Sequence, residues 1–218
     1  MRYLLTSLLT VVCLSYGCDS GNFKVCGDSL THKGYNYSTV LIGEQCWFSE
    51  NCRYLPEVSS SSEGNETDPY YYVYGYEGTD VESAKATSNY EIYGSLYNSS
   101  ARKSGGICPS GWHIPSDDEF TQLTDFLGGE WKAGDAMKST SGWKNNGNGS
   151  NLSGFNALPG GYRDKSGSFH SINNQSYIWS PSLIDRYVNL YYKSPKIYSD
   201  VFAEAWSAYG LSARCLQD

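Results

Sequence analysis

The chain has 218 residues, a formal charge of −7 and only 18% charged residues. This length suits one sizeable domain with its own core rather than two domains. The acidic balance leaves no basic stripe of the kind that a phosphate backbone needs, so the composition argues against nucleic acid as a partner. Tyr, Ser, Asn and Gly are abundant, a composition typical of loop-rich extracellular binding surfaces.

The first residues have the pattern of an export signal. Arg2 is followed by an apolar run that is too short to cross a bilayer as a stable helix. Ser15 and Gly17 place small side chains at the two positions that a signal peptidase reads. We therefore predict that residues 1–17 are a signal peptide, and that the protein is exported.

Cys18 would then be the mature N-terminus, followed by a tether over residues 18–25. It resembles the lipid-attachment Cys of bacterial lipoproteins, although Ser15 and Tyr16 depart from the motif of those proteins. The sequence thus predicts either a surface lipoprotein of the outer membrane, attached through lipid only, or a secreted protein.

The cysteines point to disulfide bonds. Removal of Cys13 with the signal leaves an even set of six, compatible with an oxidising compartment, and lipidation of Cys18 would leave one of the other five over. The chain has no CxxC pair and three His residues, none at ligand spacing from a second Cys or His, so a structural zinc site is not expected.

The first half of the chain predicts short strands and polar loops. Residues 37–42 and 46–48 are rich in β-branched and aromatic side chains around Gly43, which predicts a hairpin. Residues 56–69 are polar and predict a mobile loop. Residues 81–90 contain helix formers and predict one short helix or turn.

Between the loop and this helix lies an unusually aromatic stretch. If it were one strand, alternate residues would share a face, and Tyr contributes rigid contact area with a hydroxyl at its rim. This stretch is therefore the candidate ligand surface, formed by Tyr70, Tyr72, Tyr74 and Tyr76.

The stretch CPSGWHIPSDDEF, residues 108–120, leads into the clearest helix. Ser116 and Glu119 are spaced as a capping box, acidic residues follow the cap, and Gly128 and Gly129 end the helix. One apolar face is predicted, formed by Phe120, Leu123, Phe126 and Leu127. Few helices and many short strands predict an α+β domain with long loops.

Several ordered motifs carry a resemblance to a known family. They are IGEQCWFSEN (42–51), YGSLYN (93–98), CPSGWHIPSDDEFTQLTDFLGG (108–129), GFNALPGGYRD (154–164), WS (179–180) and GLSARCLQD (210–218). Together they resemble the Fibrobacter succinogenes major paralogous domain, a family of exported bacterial proteins, over residues 26–218. Departures include Ser99 in place of a Trp, and Cys52 where many relatives carry Leu.

The resemblance implies a C-type lectin-like fold, related to formylglycine-generating enzymes, with short twisted antiparallel strands and one or two helices. It also implies disulfide bonds joining Cys108 to Cys215 and Cys26 to Cys46. Cys52 is then single or paired with Cys18.

Catalytic interpretations of the same residues are weaker. A nucleophile and base made of Cys108 and His113 is disfavoured because an exported Cys is usually oxidised. Asp117, Asp118 and Glu119 could suggest an acid pair for glycoside hydrolysis, but helix capping accounts for all three.

The sequence offers two further candidate ligand sites. Arg163 offers a planar fork for a carboxylate or sulfate, or it orders a tight turn with a buried acid. For calcium, amide oxygens from Asn145, Asn146, Asn148 and Asn151 would make a weak site. No other cofactor is predicted.

The sequence therefore predicts a non-catalytic binding or display domain at the cell surface, with a glycan or protein ligand. One alternative is a thiol oxidase of the formylglycine-generating type, for which Cys46 and Cys52 are the nearest pair. Another is a purely structural envelope protein.

Overall fold

The computed structural model describes residues 25–181, 185–201 and 207–218. The predicted signal peptide, Cys18 and nearly all of the tether lie outside these residues. Over the described ranges, no helix is both long enough and apolar enough to cross a membrane.

The architecture is α+β, as predicted, and is built from thirteen short strands and five short helices over the described ranges. The strands are β1 (Leu30–His32), β2 (Tyr35–Tyr37), β3 (Thr39–Ile42), β4 (Gln45–Phe48), β5 (Tyr71–Tyr72), β6 (Leu96–Tyr97), β7 (Trp112–His113), β8 (Gly160–Arg163), β9 (Phe169–Ile172), β10 (Gln175–Trp179), β11 (Arg186–Tyr191), β12 (Ile197–Val201) and β13 (Leu216–Gln217). The helices are α1 (Val81–Lys85), α2 (Ser88–Tyr93), α3 (Ser99–Lys103), α4 (Asp117–Phe126) and α5 (Ala133–Met137). Five helices exceed the one or two that we predicted.

The largest sheet has five strands in the order β12-β11-β10-β8-β9. Its pairs are antiparallel except β10 with β8, which run parallel through Ser176 and Gly161. The prediction of antiparallel strands is therefore wrong at this one junction. Because β8 and β10 run parallel, the loops that follow these two strands leave the sheet at the same edge.

A second sheet has the order β3-β4-β13-β7 and joins distant parts of the chain. The predicted hairpin is confirmed, with Ile42 opposite Gln45 across the turn and Gly43 at φ 63°. The last strand inserts beside β4, where Leu216 lies opposite Trp47 and also opposite His113 of β7. The chain end is thus a central strand rather than a loose tail.

Helix α4 begins as its sequence predicts. The Ser116 hydroxyl accepts a hydrogen bond from the Glu119 amide, and the Glu119 carboxylate accepts one from the Ser116 amide, so the capping box is present. Phe120 and Leu123 are buried, but Phe126 is 64% exposed. Its place on the core face was a wrong prediction; its ring instead lies beside the Gly43 turn.

The predicted helix over residues 81–90 is two helices. Asp80 caps α1 by accepting from the Ser83 amide, and Thr87 caps α2 by accepting from the Tyr90 amide. Thr87 competes with the helical hydrogen-bond pattern at mid-segment, so the chain restarts the helix there.

The core consists of two clusters with the sheets between them. On β4, Trp47 faces one cluster and Phe48 the other, and on β10 Ile178 and Trp179 divide in the same way. Adjacent residues of a strand point to opposite faces, so each of these strands contributes to both clusters. Helix α4 covers the cluster that contains Trp47.

Two disulfides tie the sheets to the loops. Cys26 is bonded to Cys46, and Cys108 to Cys215, which are the two pairs that the resemblance implied. Among the described residues, Cys52 is the one free cysteine, and it is buried.

Candidate functional site

The four tyrosines predicted to form one face do not do so. Strand β5 covers only Tyr71–Tyr72, so there is no extended alternation across the stretch. Tyr72 is completely buried and donates its hydroxyl to the carbonyl of Glu63, and Tyr70 stacks over it with ring centroids 6.2 Å apart.

The other two predicted tyrosines also have structural contacts. Tyr74 packs on Phe169 at 4.9 Å between ring centroids. Tyr76 donates to the carbonyl of Asp80 at 3.0 Å and packs against the core. The prediction of a shared exposed face was wrong because this segment turns away after two strand residues.

Arg163 is buried and holds the loop that contains Ser61 and Glu63 through hydrogen bonds, so it is not accessible to a ligand. It is 1% exposed, and its guanidinium donates to the carbonyl oxygens of Ser61, Glu63 and Ala208. Its charge also lies 4.5 Å from the centroid of the Tyr72 ring. Both the ligand role and the pairing with a buried acid were wrong; the partners are backbone carbonyl oxygens.

These contacts also hold part of the segment 56–69. The segment is irregular, as predicted, but Arg163 holds it from one side. From the other side, the Asn98 amide donates to the carbonyl oxygens of Asn65 and Asp68. Hydrogen bonds to several of its backbone carbonyl oxygens therefore hold this loop in place.

A different group of tyrosines, three on the five-stranded sheet and one on the segment before β13, forms a continuous aromatic patch that packs against the core. Tyr162 lies 4.8 Å from Tyr177 and 6.0 Å from Tyr209, and Tyr177 lies 5.4 Å from Tyr187, measured between ring centroids. All four are half-buried. We call Tyr162, Tyr177, Tyr187 and Tyr209 the tyrosine surface.

Strand alternation explains why these rings lie together. On β10 and β11, Ile178 and Val188 are buried in one core cluster, while Tyr177 and Tyr187 lie on the opposite face and pack, half-buried, against the cluster that contains Trp179. Residues directly opposite on antiparallel strands share a face, so Asn189 lies beside Tyr177. The Asn189 amide is buried and bonds within the sheet, donating to the carbonyl of Ser176 and accepting from Gln175.

The phenols of this surface stay protonated. Burial, followed by the nearby phenols of Tyr162 and Tyr187, raises the pKa of Tyr177 to about 12. Burial also raises the pKa of Tyr162 and Tyr187. A neutral phenol is both a donor and an acceptor, so the rims suit uncharged polar partners.

A histidine and a carboxylate border the surface. The His170 ring lies 5.3 Å from the Tyr162 centroid, and its Nε2 is 2.7 Å from Asp164 Oδ2. Burial opposes ionisation of Asp164, but hydrogen bonds from Ser166, His170 and Ser168 outweigh it and lower its pKa to about 2. This carboxylate orders its own turn and is not poised as a proton donor at neutral pH.

These tyrosines were not predicted to form a site. They come from four separated segments, and the sequence does not say which strands are neighbours. The available signal was the alternation in QSYIW and RYVNLY, which pairs an outward Tyr with an inward aliphatic residue.

The residues considered for catalysis have structural partners. Cys108 is in a disulfide, so it is not a nucleophile beside His113. His113 instead bridges two carboxylates, with Nδ1 2.6 Å from Asp218 and Nε2 2.9 Å from Glu119. Asp117 pairs with Arg186.

Within the described residues, Cys46 and Cys52 are not both free thiols. Cys46 is bonded to Cys26, which leaves Cys52 without a second thiol from that pair. The oxygens considered for calcium are partly used as well: Asn148 accepts from the Trp143 amide and Asn151 from the Asn156 amide.

Comparison with known proteins gives one match. A family model described as the Fibrobacter succinogenes major domain matches residues 40–217, which is most of the chain. Searches of curated proteins and of solved structures found no match.

Proposed function

The chain belongs to the Fibrobacter succinogenes major domain family, and from that premise and the tyrosine surface we propose that it is an exported, non-catalytic binding or display domain. Its ligand is a glycan or a protein at the cell surface. The protein reaches that location through the signal at residues 1–17 and is either secreted or held by lipid on Cys18.

The observation that carries the proposal is the tyrosine surface. Four rings that contact one another, each partly exposed and packed on the core through its buried part, form a rigid aromatic area, and a Tyr side chain loses little conformational entropy on binding. The neutral phenol rims supply directional hydrogen-bonding groups. Uncharged polar ligands such as neutral sugars fit this chemistry.

We further propose that the fold is C-type lectin-like. The support is the Cys108–Cys215 disulfide, which fastens the segment before α4 to the last strand. A fold closed in this way leaves long connections on the outside, where sequence can vary without loss of the core.

The test is a glycan array followed by titration of any hit. The double variant Tyr162→Ala/Tyr177→Ala should bind at least tenfold more weakly, while Trp131→Ala, an aromatic residue that is 66% exposed elsewhere, should bind as the native protein does. Unchanged binding by the double variant would refute the tyrosine surface as the site.

The alternatives give other results. A blank array, with no protein captured from the cell envelope, would favour a structural envelope protein. Two reactive thiols in a titration of the native protein would favour the thiol oxidase, whereas one or none favours the binding domain. Mass spectrometry of the mature protein shows whether Cys18 carries lipid.

A further inference from the structure

Three cysteine sulfurs meet in the core. Cys52 Sγ lies 3.4 Å from Cys215 Sγ, and the sulfurs of Cys52, Cys108 and Cys215 all lie within 4.8 Å of one another. Cys52 and Cys215 are completely buried, whereas Cys108 is half-buried. A free thiol in contact with a disulfide is the reactant set for thiol–disulfide exchange.

We propose that the Cys52 thiol exchanges with the Cys108–Cys215 disulfide and thereby makes Cys108 a site of thiol modification. The Cys52 thiol loses its proton, and its electron pair forms a bond to Cys215 Sγ. The bond between Cys215 and Cys108 breaks, its electron pair leaves on Cys108, and that sulfur takes up a proton. No external oxidant or reductant is consumed.

The fold accommodates the new bond because the same segments are already joined. The Cys52 amide donates to the carbonyl of Ala213 at 2.8 Å, and the Phe48 amide donates to the carbonyl of Cys215 at 2.9 Å. A Cys52–Cys215 bond would therefore connect two neighbouring stretches. It would close a loop of 163 residues in place of 107, and loop entropy changes slowly with length.

The released sulfur would open onto a cavity of about 290 Å³. Cys108 lines this cavity together with Arg102 and His113. Arg102 is paired with Asp185, and His113 with Asp218 and Glu119, so the cavity gives reagents access to the released sulfur without a net positive charge beside it. The fitting reaction partners are small thiol-reactive electrophiles and low-molecular-weight disulfides.

Burial restrains the exchange at neutral pH. It raises the pKa of Cys52, and the charge of Arg214 opposes this only in part. The other titratable groups that act on Cys52, or on which it acts, are Glu50, Arg53, Tyr37 and Tyr97. The exchange is therefore slow in the resting protein, and its rate should rise about tenfold per pH unit with the thiolate fraction.

The test uses the full mature chain. The protein is held at increasing pH within the range where circular dichroism shows it folded, in the presence of N-ethylmaleimide, then quenched in acid and mapped by mass spectrometry. We expect the label on Cys108 together with a Cys52–Cys215 cross-linked peptide. Label on Cys52 with an intact Cys108–Cys215 peptide, or no label on Cys108 at any pH, would overturn the proposal.

Two variants separate exchange from other routes. Cys52→Ser has no attacking thiol, so Cys108 should stay unlabelled; equal labelling there would mean that the disulfide opens without Cys52. Cys108→Ser should form the Cys52–Cys215 disulfide in an oxidising glutathione buffer. If this variant folds and keeps both thiols reduced, the pairing is not accessible and the inference fails.

Discussion

Removal of the Cys108–Cys215 disulfide should cost more stability than removal of Cys26–Cys46. The paired residues are 107 and 20 positions apart. In the chain-entropy model these loops contribute about 4.8 and about 3.3 kcal/mol at 25 °C. Only the length-dependent part, 1.5 RT ln n, differs, so the double Ala variants should differ by about 1.5 kcal/mol.

The comparison is well matched because each pair has one buried and one half-buried partner: Cys215 with Cys108, and Cys46 with Cys26. The cost of losing buried sulfur therefore nearly cancels in the difference. Replacing both cysteines of a pair also prevents Cys52 from bonding to a vacated partner.

The assay is urea unfolding followed by tryptophan fluorescence, with a stabilising osmolyte added equally to all samples if the weaker variant is unfolded in buffer. An equal loss in the two variants, or a larger loss from Cys26→Ala/Cys46→Ala, would refute the view that loop length governs the contribution of these bonds.

Three further perturbations test the contacts described above. Arg163→Met should lower the free energy of unfolding, measured with urea, by about 3 kcal/mol, because it leaves buried carbonyl oxygens without donors. Arg163→Lys should recover little of this loss, because Lys lacks the planar guanidinium. If Arg163→Lys were as stable as the native protein, the role of the Arg163 hydrogen bonds in holding the loop would be contradicted. Ser116→Ala should lower the free energy of unfolding by about 1 kcal/mol, because α4 loses its N-cap hydrogen bond. An unchanged urea midpoint would contradict the capping role of Ser116. Burial disfavours the charged form of His113, but hydrogen bonds to Asp218 and Glu119 outweigh burial and raise the pKa of His113 above 6.5. Burial also disfavours the charged form of Glu119, but hydrogen bonds from Ser116 and His113 outweigh burial and lower the pKa of Glu119 below 4.5. The raised pKa of His113 contributes to the free energy of unfolding in full below pH 6.5, and this contribution is lost as pH rises through the folded pKa. The lowered pKa of Glu119 contributes in full above pH 4.5, and this contribution is lost as pH falls through the folded pKa. The stability difference between native protein and His113→Gln should therefore peak between these values, and a difference that is flat from about pH 4 to pH 8 would contradict the bridge.

Locally encoded features were predicted well. The capping box at Ser116 and Glu119 and the hairpin around Gly43 depend on residues within a few positions of each other. The split at Thr87 was missed although its cause is also local, because a Thr inside a run of helix formers is compatible with either outcome.

Side-chain exposure was predicted poorly where it depends on distant partners. Tyr72 and Arg163 have the chemistry of ligand contacts, yet a returning loop and the segment near Ala208 cover both. Phe126 continues the apolar spacing of α4, but its ring lies beside the Gly43 turn and stays exposed, while Leu127 packs against the core.

The sequence by itself determined the α+β class, the family and the helix cap, since composition, motif order and short-range hydrogen bonding are properties of the chain. Only the tertiary structure decided which tyrosines share a surface and that Cys52 lies against the Cys108–Cys215 bond. The reason is strand pairing: the parallel contact of β10 with β8 and the insertion of β13 beside β4 bring together residues far apart in sequence. No local pattern encodes these neighbours, because many pairings satisfy the same alternation of side chains.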